Sequence, residues 1–147
     1  IEHERDSKLK KRQGKADRVL VDAPCTGLGT LRRNPDLKFR QDQTSLAELS
    51  QRQSSILAAA ARLVRPGGRL VYATCSLLQE ENQMVVDDFL AQNPDFKRVP
   101  AQQILQAHGI DLDTGEDLVL LPHQHATDGF YAAVLERLET STEDESE

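Results

Sequence analysis

The sequence predicts an α/β fold, a portion of a doubly wound parallel sheet. Two short apolar runs, 18–22 (RVLVD) and 69–74 (RLVYAT), have the length and composition of buried strands. Between them lies a long stretch with helical spacing of apolar residues, and a second such stretch follows. Strand–helix–strand units of this kind imply parallel pairing with a right-handed crossover.

Residues 1–17 are a charged lead-in. The strand 18–22 ends at Asp22, at the carboxyl end of a strand, where open α/β sheets bind ligands. Residues 25–30 (CTGLGT) form a glycine-bearing loop. No helix starts there at the spacing a dinucleotide fingerprint needs, so Gly27-Leu28-Gly29 is a weak nucleotide signal. Over 44–64, Leu46, Leu49, Ile56, Leu57, Ala60, Leu63 and Val64 recur at helical spacing, with Thr44 or Ser45 as N-cap. Pro66-Gly67-Gly68 ends that helix and turns the chain into the strand 69–74. Residues 80–92 form a second helix with Val85, Val86, Phe89 and Leu90 on its apolar side, and Asn93-Pro94 closes it. A short helix over 102–107, a short strand over 118–121 and a closing strand over 129–138 complete the domain, 18–138. The alanines of the last segment leave a helix open there. Two parallel strands and a terminal pair make a thin core. A nucleotide-binding half would have to come from upstream sequence.

At 147 residues the chain has about one domain's length, and 38% hydrophobic with 29% charged residues is the balance of a folded soluble domain. No apolar run approaches the ~20 residues of a membrane-spanning helix. Residues 1–18 are too charged for a signal peptide, and a first residue other than Met suggests a fragment or a processed chain. Two cysteines exclude a disulfide scaffold and fit a reducing cytoplasm. The net charge of −6 is unevenly spread: residues 1–40 hold 11 Lys/Arg against 6 Asp/Glu, while 139–147 hold five acids and no base. The latter reads as an acidic disordered tail. Lys8, Lys10, Lys11, Arg12, Lys15 and Arg18, then Arg32, Arg33, Lys38 and Arg40, could dock a polyanion. A solvated helix face and loop is the alternative.

The chemistry lies at two strand ends. Cys25, in Asp22-Ala23-Pro24-Cys25, and Cys75, in Ala73-Thr74-Cys75-Ser76, each follow a strand. Adjacent parallel strands would bring them side by side on one sheet edge, where a thiol could act as a nucleophile. Taken singly, each cysteine is more simply a packing residue. No C-x-x-C pair exists, and His123-x-His125 lies far along the chain, so no metal is expected and these histidines read as surface loop.

Together, these motifs resemble a known family. Asp22-Ala23-Pro24-Cys25-Thr26-Gly27 with Gly29-Thr30-Leu31-Arg32-Arg33-Asn34-Pro35-Asp36 resembles the fourth motif of the Sun/Fmu-type RNA cytosine-5 methyltransferases. Tyr72-Ala73-Thr74-Cys75-Ser76 with Glu80-Glu81-Asn82 resembles their sixth. Pro122 with Thr127-Asp128-Gly129-Phe130-Tyr131-Ala132-Ala133 resembles their last. The resemblance spans about 17–138. It implies a Rossmann-like, S-adenosylmethionine-dependent methyltransferase sheet, here the carboxyl-terminal portion only, with the cofactor's glycine motif absent. It assigns nucleophilic addition to Cys75, product release or general-base work to Cys25, and a hydrogen bond to the cytosine to Asp22. It puts Asp22 and Pro24 beside the cofactor S-adenosyl-L-methionine, and Arg32, Arg33 and Lys38 near RNA. Phosphate contacts of that kind position a substrate without reading its sequence; surface ion pairing is the alternative for the arginines. Ribosomal RNA is the expected partner, in the cytoplasm and away from membranes. Transfer RNA, or a non-catalytic RNA-binding or scaffolding role, are the competing readings. A DNA cytosine-5 methyltransferase is disfavoured, because its nucleophile follows Pro and no second Cys motif is expected. An isolated chain of this kind would be inactive, and its unpaired first strand would invite edge pairing.

Overall fold

The computed structural model describes residues 7–39 and 42–139. Arg40 and most of the acidic tail lie outside the described residues, as do residues 1–6 of the lead-in. The elements in order are α1 (Ser7–Lys10), β1 (Ala16–Asp22), α2 (Gln43–Ala61), β2 (Val64–Thr74), α3 (Gln83–Gln92), β3 (Phe96–Val99), α4 (Ala101–Ala107), β4 (Leu118–Leu120), α5 (Pro122–His125) and β5 (Phe130–Arg137). The sheet order is β1-β2-β5-β3, and β4 also pairs with β5. β1 and β2 are parallel, with Asp22 opposite Ala73; β5 runs antiparallel to β2, β3 and β4.

The core lies between the sheet and the helices α2 and α3. Leu57, Val64, Leu70, Tyr72, Val86 and Leu135 are completely buried in it. Truncating any of the leucines to Ala would cost about 2–5 kcal/mol. α2 presents Gln53, Leu57, Ala60 and Ala61 inward, a helical spacing, and is rich in Ala near its end, where helix propensity is high.

Four expectations are corrected. The N-cap of α2 is Asp42, not Thr44 or Ser45: its carboxylate accepts from the Ser45 backbone N–H at 2.7 Å, and a carboxylate is the strongest acceptor nearby. The helix ends at Ala61 rather than Val64, because the carbonyls of Arg62 and Leu63 are drawn to the backbone N–H groups of Gly14, Lys15 and Ala16. Pro66-Gly67-Gly68 does not precede the strand but lies within it. The step from Ala16 to Arg18 on β1 matches the step from Val64 to Arg69 on β2, so the triplet is an irregularity in the ladder. Gly67 takes a φ of 77°, and a Cβ on Gly68 would press into Val64 and the Ala16 carbonyl. The strand 18–22, read as buried, is only partly so: Val21 is buried but Leu20 is 70% exposed, and among the described residues its outer edge is unpaired, as expected of this first strand.

The elements α1, β3 and α5 went unread. β3 is only four residues long and carries Lys97 and Arg98, too short a run to show a period. The helix expected over 80–92 is a single 3-10 turn, Gln79–Glu81, followed by α3. Asn82 breaks the two apart, because its side chain is committed to Thr74 and the Ser76 carbonyl.

Candidate active site

β1 and β2 are adjacent and parallel, so their carboxyl ends emerge together. The loop after β1 carries Cys25; the residue after β2 is Cys75. Their Sγ atoms are 3.4 Å apart, and both thiols are free and half-buried. Burial, reinforced by the hydrogen bond with Cys75, pushes the Cys25 thiol up to about 12. Cys25 therefore keeps its proton at neutral pH, and the two sulfurs share an S–H···S contact.

The thiols open onto a cavity of about 670 Å³ running along the outer side of β1. Its wall includes Leu20, Asp22, Pro24, Ile56 and Leu63 beside the two cysteines. Asp22 is exposed at the end of β1, and Pro24 is tied down through its carbonyl, which accepts from Gln53 Nε2 at 2.9 Å. Asp22, Pro24, Cys25 and Cys75 are thus brought to one groove.

The glycine loop serves close packing. Gly29 donates its N–H to the Cys75 carbonyl at 2.8 Å and accepts from Gly129 N–H at 2.7 Å. A Cβ at Gly29 would collide with both the Cys75 and Gly129 carbonyls. The three motif segments therefore meet at one residue without a side chain.

Arg32 and Arg33 both meet Asp128, in the segment that enters β5: Arg32 Nε lies 3.2 Å and Arg33 2.6 Å from its carboxylate oxygens. Their side chains stay 50% and 62% exposed. Lys38 lies apart, exposed, with Nζ 4.8 Å over the Phe39 ring. His123 and His125 fall on one helical turn, α5, where His125 Nδ1 accepts from the Leu121 N–H at 3.0 Å.

Sequence reasoning assigned no role to Glu81, Asn82 or Gln53. All three are buried and all hold the cysteine loops, as developed below. For Glu81 and Asn82 the available signal was their place just after the Cys75 motif; Gln53, in the middle of α2, carried none.

A family model described as 16S rRNA methyltransferase RsmB/F matches residues 2–136. The chain belongs to this family. A probable ribosomal RNA small subunit methyltransferase B from Synechocystis is 42% identical over 121 residues, 82% of this chain and 27% of that protein. The ribosomal RNA small subunit methyltransferase B of Vibrio cholerae is 41% identical over 124 residues, 82% of this chain and 26% of that protein. The chain thus spans about a quarter of the length of the curated relatives it matches. Among solved structures, PH0851 superposes with a TM-score of 0.75 at 43% identity, over 85% of this chain and 27% of that one. NSun6 from Pyrococcus horikoshii, solved with the S-adenosylmethionine analogue SFG, gives 0.73 at 30% identity, over 90% of this chain and 33% of that one. The mixed α/β sheet is therefore that of the methyltransferases. Among the described residues no helix is long and apolar enough to cross a membrane.

Proposed function

We propose that the chain is the carboxyl-terminal catalytic part of an enzyme that methylates carbon 5 of a cytosine in RNA, and that the RNA is ribosomal. The observation that carries the reading is the 3.4 Å Sγ–Sγ contact at two adjacent strand ends, facing a groove shared with Asp22. Membership of the RsmB/F family supports the RNA substrate.

Carbon 5 of cytosine is a weak nucleophile. Addition of the Cys75 sulfur to carbon 6 makes the ring an enamine and carbon 5 reactive. Cys25 lies in hydrogen-bond contact with the attacking Cys75 sulfur, whose proton leaves to a base as the carbon–sulfur bond forms. Asp22, at the groove rim, is placed to hydrogen-bond the base as charge develops on the ring. The groove wall of Asp22 and Pro24 combines a carboxylate with apolar surface and fits S-adenosylmethionine, which when bound supplies the electrophilic methyl group. After transfer the carbon 5 proton leaves to a base, the carbon 6–sulfur bond breaks, and Cys75 is regenerated. Cys25 takes part in this release. A cytosine reaching half-buried thiols must be unstacked, so a looped or flipped nucleotide is the expected target.

The test is covalent trapping by RNA carrying 5-fluorocytosine, in the full-length enzyme. Cys75→Ala should abolish both methyl transfer and trapping. Cys25→Ala should still form the adduct on ordinary RNA but fail to release it, so that protein–RNA complexes accumulate. Normal trapping by Cys75→Ala would overturn the assignment. Release of methylated RNA at the normal rate by Cys25→Ala would return that cysteine to a packing role.

A further inference from the structure

We propose that Glu81 is a positioning residue: its buried carboxylate clamps the two cysteine loops to each other and thereby sets the spacing of the thiol pair. The proposal deepens the reading of Cys25 and Cys75 as a working pair and rests on it.

Glu81 is completely buried although it is a carboxylic acid. It ends the 3-10 turn between β2 and α3, where a regular helix could have carried it to the surface. A buried carboxylate is costly unless its lone pairs are satisfied. Here one oxygen accepts from the Thr26 backbone N–H at 2.8 Å and from Gln53 Nε2 at 3.1 Å. The other accepts from the Thr26 hydroxyl at 2.7 Å and from the Ser76 hydroxyl. Four donors meet the roughly four acceptor sites that a carboxylate offers.

The identity of those donors carries the inference. Thr26 follows Cys25, and Ser76 follows Cys75. Gln53 holds the Pro24 carbonyl with the same amide nitrogen that reaches Glu81, so the residue before Cys25 is anchored as well. The Glu81 carbonyl accepts from Tyr72 on β2 at 2.7 Å, which fixes the clamp to the sheet. Next to it, Asn82 accepts from the Thr74 hydroxyl at 2.5 Å and donates to the Ser76 carbonyl at 2.9 Å, gripping both neighbours of Cys75. Two loops 50 residues apart in sequence are thus tied through one side chain. An isosteric Gln has a single acceptor oxygen and cannot take both hydroxyls and both N–H groups. Core filling alone does not require four acceptor sites; the clamp does.

The experiment uses the full-length enzyme with Glu81→Gln, Thr26→Val and Thr26→Ser. Two rates are read: single-turnover adduct formation on 5-fluorocytosine RNA, and coupling of Cys25 to Cys75 by diamide, which takes up the two thiol hydrogens and leaves a disulfide. Glu81→Gln and Thr26→Val should slow both by about tenfold or more, since small misplacements of reacting groups cost that much. KM for RNA should stay near the wild-type value. Thr26→Ser, which keeps the hydroxyl, should restore both rates. Should Glu81→Gln fail to fold, the Thr26 pair decides, because Thr and Val have the same shape. Wild-type rates in Thr26→Val overturn the clamp, as does a loss that Thr26→Ser fails to restore. If the wild type itself forms no adduct, the catalytic reading falls. The diamide rate then still decides whether Glu81 sets the spacing.

Discussion

Cys25 and Cys75 look equivalent in sequence, each a lone cysteine past a strand end. Their environments separate them. Cys25 is the thiol whose proton is held, with burial the largest cause and the hydrogen bond to Cys75 the next. Initial alkylation of Cys25 by iodoacetamide, followed by peptide mass spectrometry, should therefore be negligible at pH 8 and rise about tenfold per pH unit until its thiol titrates. Ready modification of Cys25 at pH 8 would contradict the assignment. The same shift weakens the fold in alkali. Between the ordinary value of 9.0 and about 12 the unfolded chain releases a proton that the native state keeps, so stability falls as pH rises through that window. Arg32 and Arg33 show a different effect of surroundings: their shared contact with Asp128 orders the loop after Cys25 against the entry to β5 while leaving both guanidinium groups half open to solvent.

Element boundaries are decided by side chains that leave their own element. Asn82 divides a helix-like stretch because it bonds to Thr74 and Ser76 instead of facing water. The sharpest dependence is at Gly29. Its turn, Leu28–Thr30, sits against the end of β2 and the residue before β5 with no room for a methyl group. Gly29→Ala should cost about 1–3 kcal/mol, as overpacking does. It should also slow adduct formation on 5-fluorocytosine RNA, because the group displaced is the Cys75 carbonyl. Gly14→Ala offers a contrast: it has a positive φ of 65° but nothing near its side-chain position, so it should lose stability without the catalytic defect. Equal catalytic losses in the two variants would refute the packing argument. Elsewhere, Arg98 on β3 reaches Asp87 on α3 at 2.9 Å and the buried Asp117 at 3.1 Å, and Tyr131 on β5 also donates to Asp117. That network ties the far side of the sheet together.

For the molecule as a whole, the decisive fact is the outer edge of β1. Among the described residues no strand pairs with it, Leu20 stands exposed beside it, and the groove that reaches the thiols runs along it. The relatives are about four times longer than the matched stretch. On the proposed reading, a methyl donor resting on the wall of Asp22 and Pro24 would lack an enclosing side among the described residues. Calorimetry on the 147-residue chain should accordingly show S-adenosylmethionine binding that is weak or undetectable. A dissociation constant near 1 μM, about −8 kcal/mol, would show that the cofactor site is complete within these residues.

The sequence by itself determined the strands that carry the cysteines and the helix between them, because hydrophobic periodicity and turn residues are local signals, whereas the alanines of the closing segment left strand and helix both open. It also placed Cys25, Cys75 and Asp22 at strand ends, since parallel neighbours must emerge on one edge. The 18–22 strand was legible as a strand, and its open edge was expected, but the exposure of Leu20 was not, because burial depends on which helices and strands pack around it. Only the tertiary structure decided the antiparallel insertion of β5 between β2 and β3. It alone decided the 3.4 Å approach of the thiols and the pairing of both arginines with Asp128. The role of Glu81 was equally out of reach: a glutamate beside a helix reads as a solvated residue, and only the meeting of Thr26, Gln53 and Ser76 around it makes burial of its carboxylate tolerable. Such contacts join residues tens of positions apart, and no local pattern encodes them.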